Sequence, residues 1–317
     1  MKALVMDGFG GPEILTYQEV SNPVLEDNDL LIRTEAIGLN FADIYRRRGG
    51  YTREGNILGY EAAGFVEKVG EGVTDYKVGD RVGFADVPYA NAELVKVPKD
   101  QAIPLPSNIS FNTAASVLLQ GLTTDFLIND SFSVQSKHTV VIQAVSGGVG
   151  QLLLQVVKSK GATVIGVTST CKKKEIALKL GADEVFLRSE DWLSSIFNLT
   201  GVGADVVYDG VGSTLLDSLS VVKPGGTVVF YGTAGGDPAP LDPKMLITHS
   251  KTLAGGDLWE MVTESEDRIK RANRLFDLII KNEIILSSPT IFPLSQGADA
   301  HRFLESGEST GKVLMKP

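Results

Sequence analysis

The chain has 317 residues, 43% of them hydrophobic and 22% charged, with a formal net charge of −9. These are values of a folded globular protein and exclude a disordered chain. The acidic balance argues against nucleic acid and anionic membrane surfaces as partners. Cys171 is the only cysteine, which rules out an intrachain disulfide and fits a reducing, cytoplasmic setting. The opening MKALVMDGFGGPE lacks the apolar core of a secretory leader, and no apolar run approaches the ~20 residues of a membrane helix.

Two domains are expected at this length. The first third reads as short strands, among them Leu30–Ala36, Glu61–Val69 and Asp80–Phe84, broken by Gly-Asp, Asn-Pro and Gly-Gly pairs. No long helical period precedes Ser110, so Met1 to about Leu119 reads as a β-rich domain. Strands and helices then alternate. Thr139–Gln143 is a buried-strand pattern, Val149–Lys160 a helix, Thr163–Thr168 a strand, and Lys172–Leu180 a helix closed by Gly181. Glu184–Leu187, Asp205–Tyr208 and Thr227–Tyr231 continue as strands, which implies a parallel sheet and a doubly wound α/β fold. Asp267–Ile280 is an amphipathic helix. The strand-like pieces Ile284–Leu286, Thr290–Phe292 and Lys312–Met315 suggest a return of the C-terminus to the first domain.

The strand Thr139–Gln143 runs into Ala144-Val145-Ser146-Gly147-Gly148-Val149-Gly150 and then a helix. This AxxGxxG run is a variant of the dinucleotide fingerprint, in the strand–turn–helix setting that gives the motif meaning. Gly147 lets a pyrophosphate approach the backbone, the helix N-terminus faces it, and Gly150 lets helix and strand pack closely. The plain alternative is a tight turn with no ligand. An NAD enzyme places a carboxylate ~20 residues after such a turn. Here the next strand ends in Thr168, Ser169 and Thr170, followed by Cys171 and by Lys172, Lys173 and Lys174. Hydroxyls and lysines without a carboxylate favour a 2′-phosphate, hence NADPH over NADH. Cys171 reads as a small packed residue rather than a reactive thiol.

Several further runs carry a resemblance over nearly the whole chain. They are GFGGPEIL (from Gly8), AIGLNFADIY (from Ala36), GYEAAGFVEKVGEGVTDYKVGDRV (from Gly59), LQGLT (from Leu119), VYDGVG (from Val207) and GKVL (from Gly311). Together with AVSGGVG they resemble the medium-chain dehydrogenase/reductase superfamily, and GLNFADIY its zinc-free quinone oxidoreductase branch, which includes zeta-crystallin. The resemblance implies a GroES-like β-rich catalytic domain (residues 1–120 and 265–317) and a Rossmann NADPH-binding domain (residues 121–264), with the site in the cleft between them. Zinc members of the superfamily carry a cysteine where this chain has Asn40 and a histidine where it has Tyr60, and add a four-cysteine loop. With one cysteine, and with His138, His249 and His301 far apart in sequence, no metal site is expected.

By position, the resemblance assigns Asn40, Asp43 and Tyr45 to the nicotinamide end and Thr123 to the cofactor phosphates. Ser146, Gly147, Gly148 and Val149 form the pyrophosphate turn, and Ser169 and Lys173 hold the 2′-phosphate. Gly232 lies beside the nicotinamide. Arg188 stands where the family often has a tyrosine, and could stack on adenine or pair with the 2′-phosphate. The implied chemistry is direct hydride transfer from NADPH to a quinone, without zinc or flavin. Asn40, Tyr45 and Tyr51 are the candidate catalytic residues, the tyrosines as stacking rings and phenolic donors, or simply as wall residues. A small-molecule enone or enoyl thioester is the alternative acceptor, and Arg46, Arg47, Arg48 and Arg53 could then form a basic entrance. A crystallin-like structural role or RNA binding is the non-enzymatic alternative, and no aromatic–basic interleaving supports the latter. No GxSxG elbow supports nucleophilic catalysis. A homodimer or homotetramer is usual in the family, with Val228–Tyr231 and the segment after it as a possible edge for sheet extension.

Overall fold

The computed structural model describes residues 1–50 and 55–317. The chain divides into two compact units. The first comprises Met1–Leu122, Val262–Ile280 and Leu286–Pro317; the second comprises Thr123–Met261 and Lys281–Ile285.

In the first unit β1 (Lys2–Met6) and β2 (Leu15–Glu19) form an antiparallel ribbon. They are followed by β3 (Asp29–Leu39), α1 (Phe41–Arg47), β4 (Glu61–Val69), β5 (Arg81–Ala85), β6 (Leu94–Pro98), β7 (Ile103–Pro104) and the helix α2 (Phe111–Phe126). In the second unit β8 (Thr139–Gln143), β9 (Thr163–Thr168), β10 (Glu184–Leu187), β11 (Ala204–Asp209), β12 (Val222–Phe230) and β13 (Thr252–Gly255) build one sheet. The helices α3 (Gly148–Ser159), α4 (Cys171–Lys179), α5 (Trp192–Thr200), α6 (Leu215–Val221), α7 (Lys244–Thr248) and α8 (Leu258–Met261) belong to the same unit. The chain then returns to the first unit through α9 (Ser265–Ile280), β14 (Thr290–Pro293), α10 (Gly297–Glu305) and β15 (Val313–Lys316).

The sheet of the second unit has the order β10-β9-β8-β11-β12-β13, and its neighbours pair in parallel. That is the doubly wound dinucleotide order, reversing direction at β8. Val140, Val141, Ile142, Val164, Ile165 and Val167 are buried, as parallel strands covered on both faces require. β12 lies between β11 and β13, so Val228–Tyr231 is interior and only the segment after it, β13, reaches an edge.

The sheet of the first unit has the order β14-β15-β3-β4-β5-β7, with β6 also pairing β3. β15 runs antiparallel to β3 with Val313 opposite Leu39, while β4 lies on the other side with Ala62 opposite Ile37. The ends of three distant segments, Asn40, Glu61 and Lys312, therefore come to one place. Ile284–Leu286, strand-like in composition, forms no strand. The Gln155 side chain takes the place of a partner strand, donating to Ile285 O at 3.1 Å and accepting from Ile285 N at 2.7 Å. Among the described residues no helix is long and apolar enough to cross a membrane.

Candidate functional site

The turn after β8 is tight and leaves open space at the start of α3. Ala144 adopts a left-handed φ of 49°, and Gly147 N donates back to Ala144 O at 2.8 Å. A Cβ on Gly150 would lie 2.4 Å from Ala144 O and 2.9 Å from Val145 Cα, so a side chain there would force the turn off α3. A Cβ on Gly147 would meet only Ala144 O, at 3.2 Å, so the space over this residue is open. Gly147 caps α3 without a side-chain hydrogen bond, which leaves the first-turn amides, including those of Gly148 and Val149, facing outward with the positive helix end. Ser146 is buried and shares a 2.8 Å hydrogen bond with the Thr168 hydroxyl, while Gln151 Nε2 donates to Ser146 O at 2.7 Å. Ser146 thus braces the turn against the end of β9.

The ends of β9 and β10 carry the charge. Thr170 caps α4, its hydroxyl accepting from Lys173 N at 3.3 Å. Thr168 is buried, and Ser169 and Thr170 are exposed, Ser169 without the capping role of Thr170. Arg188 N donates to Thr168 O at 2.7 Å, which draws Arg188 over this corner. Half-burial pushes the Lys173 ammonium below its ordinary range, and the Arg188 guanidinium pushes it further in the same direction. The mutual repulsion of the two cations marks a corner of positive charge at the start of α4. Thr123 is buried in the last turn of α2, and Gly232 follows β12, where Tyr231 N and Ala234 N bind Asp209 O and Gly210 O at 2.9 and 3.1 Å.

A second constellation lies in the first unit. Asn40 ends β3 and caps α1, and its backbone N–H donates to Asp43 Oδ2 at 2.8 Å. Its side-chain amide donates to Glu61 Oε2 at 2.9 Å and to Gly38 O at 3.2 Å. Lys312 Nζ donates to Asn40 Oδ1 and to Glu61 Oε2, both at 2.6 Å, and Leu119 N donates to Glu61 Oε1 at 2.7 Å. Gly38 makes room, since a Cβ there would sit 2.4 Å from Glu61 Oε2 and 2.3 Å from Ala115 O. Asp43 is fully buried, and burial raises its carboxyl to about 7 against the opposing pull of the Asn40 amide and the Lys312 charge. Tyr45 is half-buried and its ring stands 6.2 Å from that of Phe41. Tyr51 and Arg53 lie outside the described residues. Glu61 and Lys312 carry the network although sequence reasoning did not single them out. A glutamate opening the apolar run EAAGFV, and a lysine opening VLM, are charges that must find partners, and that was the available signal.

Two members of the arginine run cannot line a basic entrance, whereas Arg48 is exposed. Arg46 and Arg47 are fully buried in α1. Arg46 donates to Ile57 O at 2.8 Å and Gly55 O at 2.9 Å and lies over the Tyr89 ring. Arg47 donates to Gly10 O at 3.1 Å, to His301 Nδ1 at 3.2 Å and to Glu305 at 2.5 Å, and Arg48 reaches the same carboxylate at 2.6 Å. Burial, then the Arg47 charge, pushes His301 down to about 3 from an ordinary 6.5. His301 therefore stays neutral in the fold where the unfolded chain protonates it, and its contribution is lost as pH falls below about 6.5. Asp43, raised above its unfolded value, acts with the opposite sign and stabilises the fold as pH falls from about 7 to 3.8. We expect His301→Gln to gain on the parent by up to ~1.4 kcal/mol per pH unit on acidification from 6.5 to 5, read from urea midpoints. Parallel curves would contradict a neutral buried His301.

Residues 26–107 match the alcohol dehydrogenase GroES-like domain family, and residues 148–273 match the zinc-binding dehydrogenase family. A quinone oxidoreductase of Pseudomonas aeruginosa is 34% identical over 100% of this chain and 99% of its own. The chain belongs to the medium-chain dehydrogenase/reductase superfamily of oxidoreductases, in its quinone oxidoreductase branch. The solved quinone oxidoreductase of Escherichia coli, complexed with NADPH, superposes with a TM-score of 0.97 at 33% identity, covering all of both chains. A 2-haloacrylate reductase of a Burkholderia species is 31% identical over 99% of this chain and 98% of its own. One matched family is described as zinc-binding, yet a zinc ion does not fit the residues of this quinone oxidoreductase-branch chain. Asn40 offers an amide, and the Lys312 ammonium bonded to it and to Glu61 would repel a second cation. Among the described residues no three of His, Cys, Asp and Glu gather into a metal-binding group.

Proposed function

We propose that the protein is an NADPH-dependent quinone reductase that passes hydride directly to its acceptor, without zinc or flavin. The observation that carries the cofactor reading is that Arg188, tied by its backbone to Thr168, and Lys173, in the first turn of α4, flank the exposed Ser169 at the corner where an NAD enzyme would hold a carboxylate. The open space over Gly147 and the outward amides of α3 suit a diphosphate. When bound, NADPH supplies the hydride from C4 of its dihydronicotinamide. The chain's own residues orient, neutralise and exclude water. The turn Ser146–Val149 holds the diphosphate, Ser169, Lys173 and Arg188 hold the 2′-phosphate, and Thr123 and Gly232 border the cofactor. Asn40, Asp43 and Tyr45 meet its nicotinamide end. Tyr45 and Tyr51 are assigned to the acceptor as stacking rings and phenolic donors to the reduced oxygen.

Reduction of an activated C=C bond is the second reading, favoured by the 2-haloacrylate reductase relative. The inward engagement of Arg46 and Arg47 takes those two away from any basic entrance for a coenzyme A thioester. A homodimer or homotetramer belongs to the same proposal. β13 ends its sheet among the described residues and offers a further strand's ladder.

Arg188→Ala and Lys173→Ala are each expected to raise the NADPH dissociation constant by about 10- to 100-fold, the worth of a charge-assisted hydrogen bond. NADH binding should stay unchanged in both. Equal losses for the two nucleotides, measured by fluorescence titration, would remove the 2′-phosphate assignment. Steady-state assays with a naphthoquinone and an α,β-unsaturated ketone then decide between the acceptors.

A further inference from the structure

The buried ion pair of the first unit is an odd device if stability is its purpose. Glu61 is fully buried and the Lys312 side chain is 4% exposed. Such a pair is commonly no more stabilising than an apolar pair of the same volume, because both charges leave water. What it does supply is a unique geometry. Asn40 Oδ1 accepts from the ammonium, while both amide hydrogens are spent on Glu61 and Gly38 O. Turning the amide over would set its NH₂ against the ammonium and its oxygen against the carboxylate, so one orientation survives.

Asn40 is the N-cap of α1, and its backbone N–H is bound by Asp43 one turn on. α1 has seven residues, too few to hold a helix by propensity. Its start is set by the anchored N-cap, and the anchor joins the end of β3, the start of β4 and the residue before β15.

We propose that Lys312 is a positioning residue for hydride transfer: clamped between Asn40 and Glu61, it fixes the start of α1 and so the placement of Asp43 and Tyr45. The role in the reaction rests on the assignment of those residues to the nicotinamide end. Lys312 acts through Asn40.

The test uses the full-length double variant Lys312→Met/Glu61→Gln, which removes both charges of the pair together and so does not leave Glu61 ionised without its cation. Amide hydrogen exchange follows α1, fluorescence titration gives the NADPH dissociation constant, and steady-state assays with a naphthoquinone and an enone give kcat and KM. The expected result is faster exchange in α1, an NADPH dissociation constant within about twofold of the parent, and kcat down at least about tenfold with KM little changed, since small misplacements of reacting groups are costly. A kcat within about twofold of the parent, with α1 loosened, would reduce the pair to a structural role and overturn the proposal. Exchange in α1 at the parent's rate would overturn the clamp itself. Parent protein that binds NADPH but reduces neither acceptor would instead overturn the functional reading and the role in hydride transfer with it, and the clamp then stands or falls on the exchange data.

Discussion

Gly150→Ala is expected to weaken NADPH binding by about 100-fold or more. The added methyl carbon would lie 2.4 Å from Ala144 O and 2.9 Å from two backbone atoms of Val145. None of these is the end of a flexible side chain, so the turn and α3 must part. The first-turn amides proposed to hold the diphosphate move with them. Each hydrogen bond to a charged group is worth about 1.5–3 kcal/mol, so losing two accounts for that factor. Gly147→Ala is the matched control. Its φ of −76° suits alanine and its methyl meets one atom at 3.2 Å, so the fold should persist. The methyl would take up part of the open space over the turn, so NADPH should still bind more weakly. Thermal unfolding with nucleotide titration separates the two cases. A Gly150→Ala protein with parental affinity would contradict the phosphate assignment of the turn.

Lys312→Met alone should lower stability by about 3–5 kcal/mol, because it leaves the Glu61 carboxylate buried without its cation. The remaining donors, Asn40 Nδ2 and Leu119 N at 2.9 and 2.7 Å, are neutral and do not replace a charge. Adding Glu61→Gln should restore most of the loss. Urea unfolding of the two variants provides the measurement. Equal instability of the single and double variants would show that the lysine stem, rather than the charge, holds this corner.

The second unit was legible in the sequence because its signals are local. Val140–Ile142 and Val164–Val167 are runs that only a covered strand tolerates, and the glycine turn sits between its strand and helix in consecutive residues. The first unit was legible in its strands but not in α1. That helix is seven residues long and holds two arginines in the core, satisfied by Gly55, Ile57, His301 and Glu305. Backbone carbonyls in a loop, for Arg46, and partners more than 250 residues away, for Arg47, leave no periodicity to read, so the run looked like a solvated loop or a basic entrance. The ion pair was hidden for the same reason, Lys312 and Glu61 being 251 positions apart. Ile284–Leu286 misled in the other direction, since composition carries no sign that one glutamine side chain replaces the partner strand.

The most direct test of zinc-free hydride transfer uses chelator-treated protein, a naphthoquinone, and NADPH carrying deuterium at one or the other C4 position. The account predicts turnover insensitive to the chelator and a normal primary isotope effect with one of the two deuterated forms only. Turnover that is lost on chelation, or that shows no isotope effect with either form, would contradict it.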